Sequence, residues 1–328
     1  MNEAPEWRVP VTREFIARDF RFHTGETVPE LRLGYTVLGN PEGKPVLALH
    51  GTGGHGAGLL TKEFGGALFG SGGVLDAAEH FIVLPDAIGH GRSAKPSDGL
   101  RRSFPRYNYE DMVQGQYRVV HEALGLRHLR LVFGISMGGM HAWQWGIRHP
   151  RFMDALVPLA SSPVAMGGRN WLLRRLLVDQ VRSDPASARR AWEFFNVATN
   201  GGTLALQAAA PDVEAADRWL AARRAQPFET DADDLLYQYD ASRDYDPSPA
   251  LESIRAHVLA INSADDERNP PELGATESAM ARLAHGRQLL IPGSRETAGH
   301  GTVRAARLWV QACGDFLAAV PSPESLTT

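Results

Sequence analysis

Short apolar runs alternate with helical patterns along most of this chain. Seven runs rich in valine, leucine and isoleucine predict strands, at Leu33–Leu38, Pro45–His50, Phe81–Pro85, Leu129–Ile135, Ala155–Ala160, His257–Asn262 and Arg287–Pro292. Several of these runs are continuously apolar, which is typical of strands buried on both faces of a mostly parallel sheet. The pattern therefore predicts an α/β fold built on a doubly wound sheet.

Helical periodicity fills the intervals between these strands. The predicted helices are Tyr109–Leu124, Met137–Arg148, a segment from Pro270 to about Gly286, and a last one over about Thr302–Ala319. Asn108 is the expected N-cap of the first helix, and Gly125 follows its C-terminus.

The alternation stops between about Ser162 and Pro247, where the pattern is helical and offers no convincing strand. We predict that residues 1–162 and 246–328 form the α/β core and that residues 163–245 form a helical insertion. An insertion at this point of a doubly wound sheet covers the C-terminal edge of the strands, which favours a lid over the site. The alternative is a helical subdomain that only adds stability.

Composition is ordinary for a soluble globular protein, with 43% hydrophobic and 22% charged residues and a net charge of −4. The short basic segments Arg174–Leu177 and Arg223–Ala225 are interpreted as solvated helix faces, so no nucleic-acid partner is expected. The single cysteine, Cys313, excludes an intramolecular disulfide and lies in an apolar pattern typical of the core.

Candidate chemistry that would need a metal or a membrane finds no support in the sequence. No Cys/His group has zinc-ligand spacing, and no apolar run approaches the roughly 18 residues of a transmembrane helix. The N-terminal residues show no basic and apolar leader pattern. We therefore expect a cytoplasmic protein without a membrane partner, a metal or a cofactor.

The segment Gly134–Met140 reads Gly-Ile-Ser-Met-Gly-Gly-Met, and it joins the strand at Leu129–Ile135 to the helix at Met137–Arg148. A Gly-x-Ser-x-Gly sequence between a strand and a helix is the signature of a nucleophile elbow. The turn is so sharp that only small residues fit around the serine, which then projects above the sheet. Ser136 is therefore the candidate nucleophile for acyl transfer through a covalent intermediate.

A serine nucleophile of this kind is followed along the chain by an acid and then by a histidine. Asp265 and Asp266 both lie just past the strand His257–Asn262, and either could be the acid. His300 lies past the last predicted strand, between two glycines that suit a tight loop. These positions predict a Ser-His-Asp triad.

The loop after the strand at Pro45–His50 is the candidate for the second half of the oxyanion hole. The backbone amides of Met137 and Thr52 are the expected donors, with Gly53 as the second choice after Thr52. We expect Gly51, Gly53 and His55 in the same loop to contact the substrate.

The same loop also spells Gly51-x-Gly53-x-x-Gly56, a dinucleotide fingerprint, which raises the rival hypothesis of a nicotinamide-dependent oxidoreductase. The acid expected about twenty residues later is not placed at a strand end, because Asp86 follows Gly56 only after thirty residues. That hypothesis would also leave Ser136 and its partners unexplained. Asp86 and His90 are interpreted as supporting residues at most.

These motifs together resemble the α/β-hydrolase superfamily. They are His50–Gly53, Asp86–Ser93, the elbow and Gly299-His300. Within the superfamily, the elbow, Tyr239–Ser242 and Asp266–Pro271 are similar to the homoserine O-acetyltransferase family. The resemblance implies an α/β-hydrolase fold with a helical lid, selects Asp266 over Asp265 as the acid, and implies a possible homodimer.

One departure from that family bears on the reaction. The family places an aspartate directly after the catalytic histidine to hold the amino group of homoserine, but this chain has Gly301 there. A desolvated ammonium group needs a compensating charge. We therefore predict an ester hydrolase that passes the acyl group of a small-molecule ester to water. An O-acyltransferase that uses an acyl-CoA is the alternative, and a non-enzymatic binding protein is a third hypothesis that the ordered triad disfavours.

Overall fold

The computed structural model describes residues 9–321, in which eight strands form one sheet. The strands are β1 (Val11–Arg21), β2 (Thr27–Gly39), β3 (Lys44–Leu49), β4 (His80–Pro85), β5 (Leu129–Ile135), β6 (Met153–Leu159), β7 (His257–Ser263) and β8 (Gly286–Ile291). Their spatial order is β1-β2-β4-β3-β5-β6-β7-β8. β2 runs antiparallel to both of its neighbours, β1 and β4. The strands β4, β3, β5, β6, β7 and β8, in that spatial order, pair in parallel.

Helices connect the strands and cover the sheet. They are α1 (Ala67–Phe69), α2 (Tyr109–Arg118), α3 (Met137–Arg148), α4 (Gly168–Ser183), α5 (Ala188–Thr199), α6 (Thr203–Ala209), α7 (Val213–Arg224), α8 (Ala232–Asp240), α9 (Ala275–Met280) and α10 (Val310–Ala319). Five of them, α4 to α8, follow one another between β6 and β7.

The predicted fold class is confirmed, and each of the seven predicted strands falls on one of β2 to β8. The sequence prediction missed β1, because charged and polar residues interrupt the apolar residues of this edge strand and most of its residues are exposed. Only Ala17 and Phe20 of its eleven residues are buried. A strand that buries so little side-chain surface carries no apolar run for a pattern search to find.

Two predicted helices were wrong in extent. The segment from Pro270 forms only a short 3-10 turn and then α9, because Gly274 between them adopts a left-handed conformation with φ +65°. The last helix begins at Val310 rather than near Thr302, and two 3-10 turns, Gly299–Arg304 and Ala306–Leu308, precede it. The first helix ends its α-helical part at Arg118 and continues as a π-helical turn over Val119–Ala123.

The central strands are buried on both faces. In β3, Val46 and Ala48 join one apolar cluster, whereas Leu47 and Leu49 join the cluster on the opposite face. Helix α3 packs across β5 and β6 on the second face. The sheet therefore provides a rigid base for the residues that stand at the carboxyl ends of its strands.

The segment between β6 and β7 packs on a third apolar cluster, which joins Leu177, Val178 and Tyr239 to Met137 and Met140 of α3. One prediction for this segment was wrong. Arg174 is not on a solvated helix face but only 1% exposed, whereas Arg223 and Arg224 are exposed as predicted. None of the helices in residues 9–321 is long and apolar enough to cross a membrane.

Candidate active site

Ser136 stands at the junction between β5 and α3 in a strained backbone conformation, with φ +56° and ψ −112°. The neighbouring glycines are required by packing. A Cβ atom at Gly134 would lie 2.5 Å from the backbone of Gly138, and one at Gly138 would lie 2.2 Å from the carbonyl oxygen of Leu49. This crowding explains why glycines stand two residues before and two residues after the serine, as the elbow sequence predicts.

The three candidate catalytic side chains meet above the sheet. The Ser136 hydroxyl donates to Nε2 of His300 over 2.8 Å. Nδ1 of His300 lies 3.0 Å from both carboxylate oxygens of Asp266. All three side chains are buried. The arrangement has the geometry of a nucleophile, a base and the acid that orients the base.

The two adjacent aspartates point to different partners. Asp266 contacts His300, whereas Asp265 accepts from the Thr297 hydroxyl at 2.7 Å and from the Gly299 amide at 3.3 Å. Asp265 therefore holds the backbone of the histidine loop and does not reach the imidazole ring.

Glu267 is a further residue of this loop whose contacts the sequence interpretation did not foresee. Its carboxylate accepts from the His300 amide at 3.0 Å and from the Gly202 amide, in the segment between α5 and α6, at 2.8 Å. One carboxylate thus ties the backbone of the histidine to the helical insertion. No local sequence pattern signals such a contact between residues so far apart in the chain.

Asp266 is held in its ionised form. Burial by itself would raise its pKa, but His300 and the amide groups of Asn269 favour the carboxylate and bring the pKa to about 2. The Arg268 amide donates a further hydrogen bond of 2.8 Å to the same carboxylate. A negative charge therefore faces Nδ1 of His300 at neutral pH.

His300 is kept neutral before reaction. Burial lowers its pKa below 6.5; Asp266 opposes this shift, and Arg268 adds to it. A neutral imidazole that donates from Nδ1 to Asp266 leaves Nε2 free to accept a proton from Ser136. The electrostatics therefore match the requirements of a general base at neutral pH.

The predicted oxyanion donors lie on two elements that meet at Ser136. Met137 is the first residue of α3, so its amide has no acceptor within the helix. Gly51 lies against the elbow, because a Cβ atom there would be 3.6 Å from the Cβ of Ser136. Thr52 follows it, and the Thr52 hydroxyl is buried without a hydrogen-bond partner among residues 9–321.

Residues behind this loop fix its shape. Nδ1 of His50 donates to the Gly51 carbonyl over 2.9 Å, and its Nε2 accepts from the Ala87 amide over 3.0 Å. Asp86 accepts from the Gly56 amide at 2.7 Å. Asp86 therefore stabilises the loop through a hydrogen bond, which is the supporting role expected from the sequence, and His50 has a similar role.

A cavity of about 440 Å³ opens in front of Ser136 and His300. The predicted contact residues Gly51, Gly53 and His55 line it, together with Thr52. Residues of the helical insertion form much of the remaining wall, namely Trp192, Asn196, Asn200, Pro227, Phe228, Glu229, Thr230, Leu235, Gln238 and Tyr239. A cavity of this size holds a small ligand.

Comparisons with known proteins agree with this architecture. A probable acyltransferase of Methanothermobacter thermautotrophicus is 28% identical over 296 residues, which are 84% of this chain and 89% of that protein. A homoserine O-acetyltransferase of Haloarcula marismortui is 32% identical over 162 residues, which are 44% of this chain and only 40% of that protein. The similarity to homoserine O-acetyltransferases that the motifs indicate is thereby confirmed.

Solved structures share the fold at low sequence identity. A homoserine O-acetyltransferase from Staphylococcus aureus matches with a TM-score of 0.78 at 17% identity, over 98% of this chain and all of that one. An acetylester hydrolase from Corynebacterium glutamicum matches with a TM-score of 0.73 at 17% identity, over 94% of this chain and 95% of that one. Proteins described as transferases and proteins described as esterases thus have this fold.

A family model for the alpha/beta hydrolase fold matches residues 44–293, a range that runs from β3 through the elbow and the helical insertion to the end of β8. This chain belongs to the alpha/beta hydrolase fold family.

Proposed function

We propose that this protein hydrolyses a carboxylic ester through an acyl-enzyme formed on Ser136. The observation that carries the proposal is the continuous hydrogen-bonded path from the Ser136 hydroxyl through His300 to Asp266, at 2.8 Å and 3.0 Å, on the wall of a small cavity. This path supplies a nucleophile, its base and a compensating charge in one place.

The proposed reaction has two halves. Ser136 Oγ attacks the ester carbonyl while Nε2 of His300 takes its proton, and Asp266 stabilises the imidazolium that forms. The amides of Met137 and Thr52 stabilise the oxyanion of the tetrahedral intermediate. His300 then protonates the leaving alcohol, and the acyl group stays on Ser136. In the second half, His300 takes a proton from water as the water oxygen attacks the acyl carbonyl. The bond between the acyl group and Ser136 Oγ then breaks, His300 returns the proton to Oγ, and the acid is released.

The surroundings of Gly301 support water as the acceptor. A Cβ atom at Gly301 would lie 3.1 Å from Oδ1 of Asn200, so the Asn200 amide fills the space beside this position. That amide oxygen is buried, and it can accept a hydrogen bond but carries no charge. An amino-acid acceptor would bring an ammonium group, which a neutral amide cannot compensate in a desolvated site.

An O-acyltransferase is the second candidate. Its support is the similarity to the probable acyltransferase of Methanothermobacter thermautotrophicus, which extends over 84% of this chain. Formation of the acyl-enzyme is the same in both reactions, so only the acceptor distinguishes them.

The helical insertion is proposed as the lid of this site. Its support is the set of side chains it contributes to the cavity wall, among them Trp192, Asn196 and Gln238. A homodimer and a cytoplasmic location remain predictions, and analytical ultracentrifugation tests the first of them.

The proposed function is tested by labelling the protein with a fluorophosphonate and mapping the modified peptide. Label on Ser136 is expected. The protein is then given a short-chain p-nitrophenyl ester, and separately acetyl-CoA with homoserine. Ester hydrolysis without O-acetyl product supports the proposal. Rapid formation of O-acetylhomoserine would reject hydrolysis in favour of transfer, and label on another serine would reject the nucleophile.

A further inference from the structure

Arg268 is a cation on the cavity wall that the proposed mechanism does not use. It lies two residues after Asp266 and lines the same cavity as Ser136 and His300. Its Nε donates to the carbonyl oxygen and the hydroxyl of Thr199, at 3.2 Å and 3.1 Å. A guanidinium group has five N–H donors, and Nε accounts for one. Nη1 and Nη2 have no hydrogen-bond partner among residues 9–321.

No carboxylate within residues 9–321 is in direct contact with this arginine. Within the described part of the chain, Arg268 forms no ion pair of 4.0 Å or less. The two acids beside it are already engaged, Asp266 with His300 and Glu267 with backbone amides. The guanidinium instead lies 4.7 Å from the centre of the Phe195 ring. An aromatic face offsets only part of the cost of desolvating a cation.

A second arginine increases the positive charge at this place. Arg174 is buried, and its guanidinium lies 5.8 Å from the Phe195 ring and 5.2 Å from the Tyr239 ring. Its Nε donates to Oδ1 of Asn170, a neutral amide, over 3.1 Å, and its Nη1 has no partner within residues 9–321. Burial lowers the pKa of Arg268 to about 10, which leaves it protonated at neutral pH. Two cations therefore share one aromatic ring beside the cavity.

The rest of the cavity wall does not balance this charge. Its lining includes one further cation, Arg304, and one carboxylate, Glu229, and both of these side chains are exposed. The half-buried cation Arg268 thus faces a small cavity, and four of its five N–H donors have no hydrogen-bond partner within residues 9–321. Such a fork matches the two oxygens of a carboxylate, with which it forms parallel charge-assisted hydrogen bonds.

We propose that Arg268 binds a carboxylate carried by the ester substrate, on its acyl part or on its alcohol part. The inference rests on the proposed function, because it names the class of ester that the triad would cleave. The anion and the reacting carbonyl would occupy the same cavity of about 440 Å³, so the substrate is a short ester.

A purely structural role for Arg268 makes a different prediction. Its contact with Thr199 joins the acid loop to the last residue of α5. Arg268 also borders a second cavity of about 190 Å³, whose wall includes residues 162–170 and 268–271. If Arg268 only joined these segments, its replacement would lower the activity on charged and neutral esters by the same factor.

The test compares each carboxylate ester with its neutral amide counterpart. Monoethyl adipate and ethyl adipamate probe the acyl side, whereas acetoxyacetate and acetoxyacetamide probe the alcohol side. We expect the wild-type kcat/KM to favour the anion in one pair by about 10- to 100-fold, which corresponds to one charge-assisted hydrogen-bonded pair. Arg268→Gln should bring that ratio near one while the neutral ester is still cleaved, and Arg268→Lys should give an intermediate ratio.

The control is Arg304→Gln, which removes an exposed cation of the same cavity and should change the ratio by less than Arg268→Gln.

Titration of the Ser136→Ala variant with the same pairs of esters measures binding without turnover. If the wild type cleaves the carboxylate ester and its amide counterpart equally well, and the Ser136→Ala variant binds them equally well, the carboxylate subsite is overturned. The proposed ester hydrolysis is not affected by that result. Selective binding of the anion without any wild-type cleavage would instead reject the proposed function. If Arg268→Gln does not fold, the kcat/KM ratio of anion to amide in the wild type and in the Arg268→Lys variant still tests the subsite.

Discussion

The two halves of the candidate triad are held in different ways. The backbone of Ser136 is fixed by core elements: its amide donates to the Leu159 carbonyl over 2.8 Å, and the glycines around it pack on the backbone of β3 and α3. Asp266 and His300 stand on loops after β7 and β8, and these loops are tied to the helical insertion. The hydrogen bonds that join them run from the Gly202 amide to Glu267, from the Gly201 amide to the Ala298 carbonyl, and from Arg268 to Thr199.

This difference indicates which half of the triad would respond to a movement of the helical insertion. A shift of the segment between α5 and α6 would act on the loops of Asp266 and His300, because hydrogen bonds join them directly. The backbone of Ser136 is hydrogen-bonded to Leu159 of β6 and Met140 of α3, so the same shift would reach Ser136 through its hydroxyl contact with His300. A movement of the helical insertion is therefore expected to change the position of His300 more than the backbone of Ser136.

Ser136→Ala should have the largest effect, because it removes the nucleophile from the rigid half. We expect kcat for a short-chain p-nitrophenyl ester to fall by about 10⁵- to 10⁶-fold. The thermal unfolding midpoint should stay near that of the wild type, since the change deletes one oxygen atom and leaves the backbone contacts of the elbow. Residual activity near the wild-type level would remove Ser136 from the mechanism.

The pair Asp266→Asn and Asp265→Asn examines the half that is held by the loops. Asp266→Asn removes the charge opposite the His300 imidazolium and should lower kcat by about 10⁴-fold. Asp265→Asn weakens the hydrogen bonds to Thr297 and Gly299 and should cost about tenfold, the effect of roughly 1.4 kcal/mol. A larger loss in the Asp265 variant would show that the acid is assigned to the wrong residue.

The same division explains how much the sequence could predict. The elbow is a local structure, so a short segment with its flanking strand and helix was enough to find Ser136. Spacing left Asp265 and Asp266 equivalent, and only the resemblance to a family separated them. The contact of Glu267 with Gly202 joins residues 65 positions apart. No periodic pattern reports such a pair, because it depends on how the insertion returns to the sheet.

Arg174 shows a related limit. Adjacent arginines in a helical pattern are usually solvated, and the sequence interpretation relied on that rule. The buried position of Arg174 depends on Phe195 and Tyr239, which come from α5 and α8. Tertiary packing of the insertion therefore overrides a local pattern at this position.

Glu267→Gln directly tests the connection between the helical insertion and His300. The amide keeps the shape of the side chain but has a single acceptor oxygen, so it loses one of the two hydrogen bonds that Glu267 accepts from the His300 and Gly202 amides. We expect kcat to fall by about tenfold, with little change in labelling of Ser136 at saturating fluorophosphonate. Glu272→Gln is the matched control, since Glu272 is exposed in the same loop. Equal effects of both variants would contradict the proposed connection.

The smallest expected effect is on the pH dependence of the activity, which His300 controls. Burial lowers the pKa of His300 below 6.5, and only the neutral imidazole can accept the proton of Ser136. Activity should thus be present above that pKa and decline as the pH falls through it. We expect the acid limb of kcat/KM, which reports the free enzyme, to have its midpoint below pH 6.5. Asp266 remains ionised there, because its pKa is about 2. A midpoint at or above 6.5 would mean that the attraction of Asp266 outweighs burial at His300.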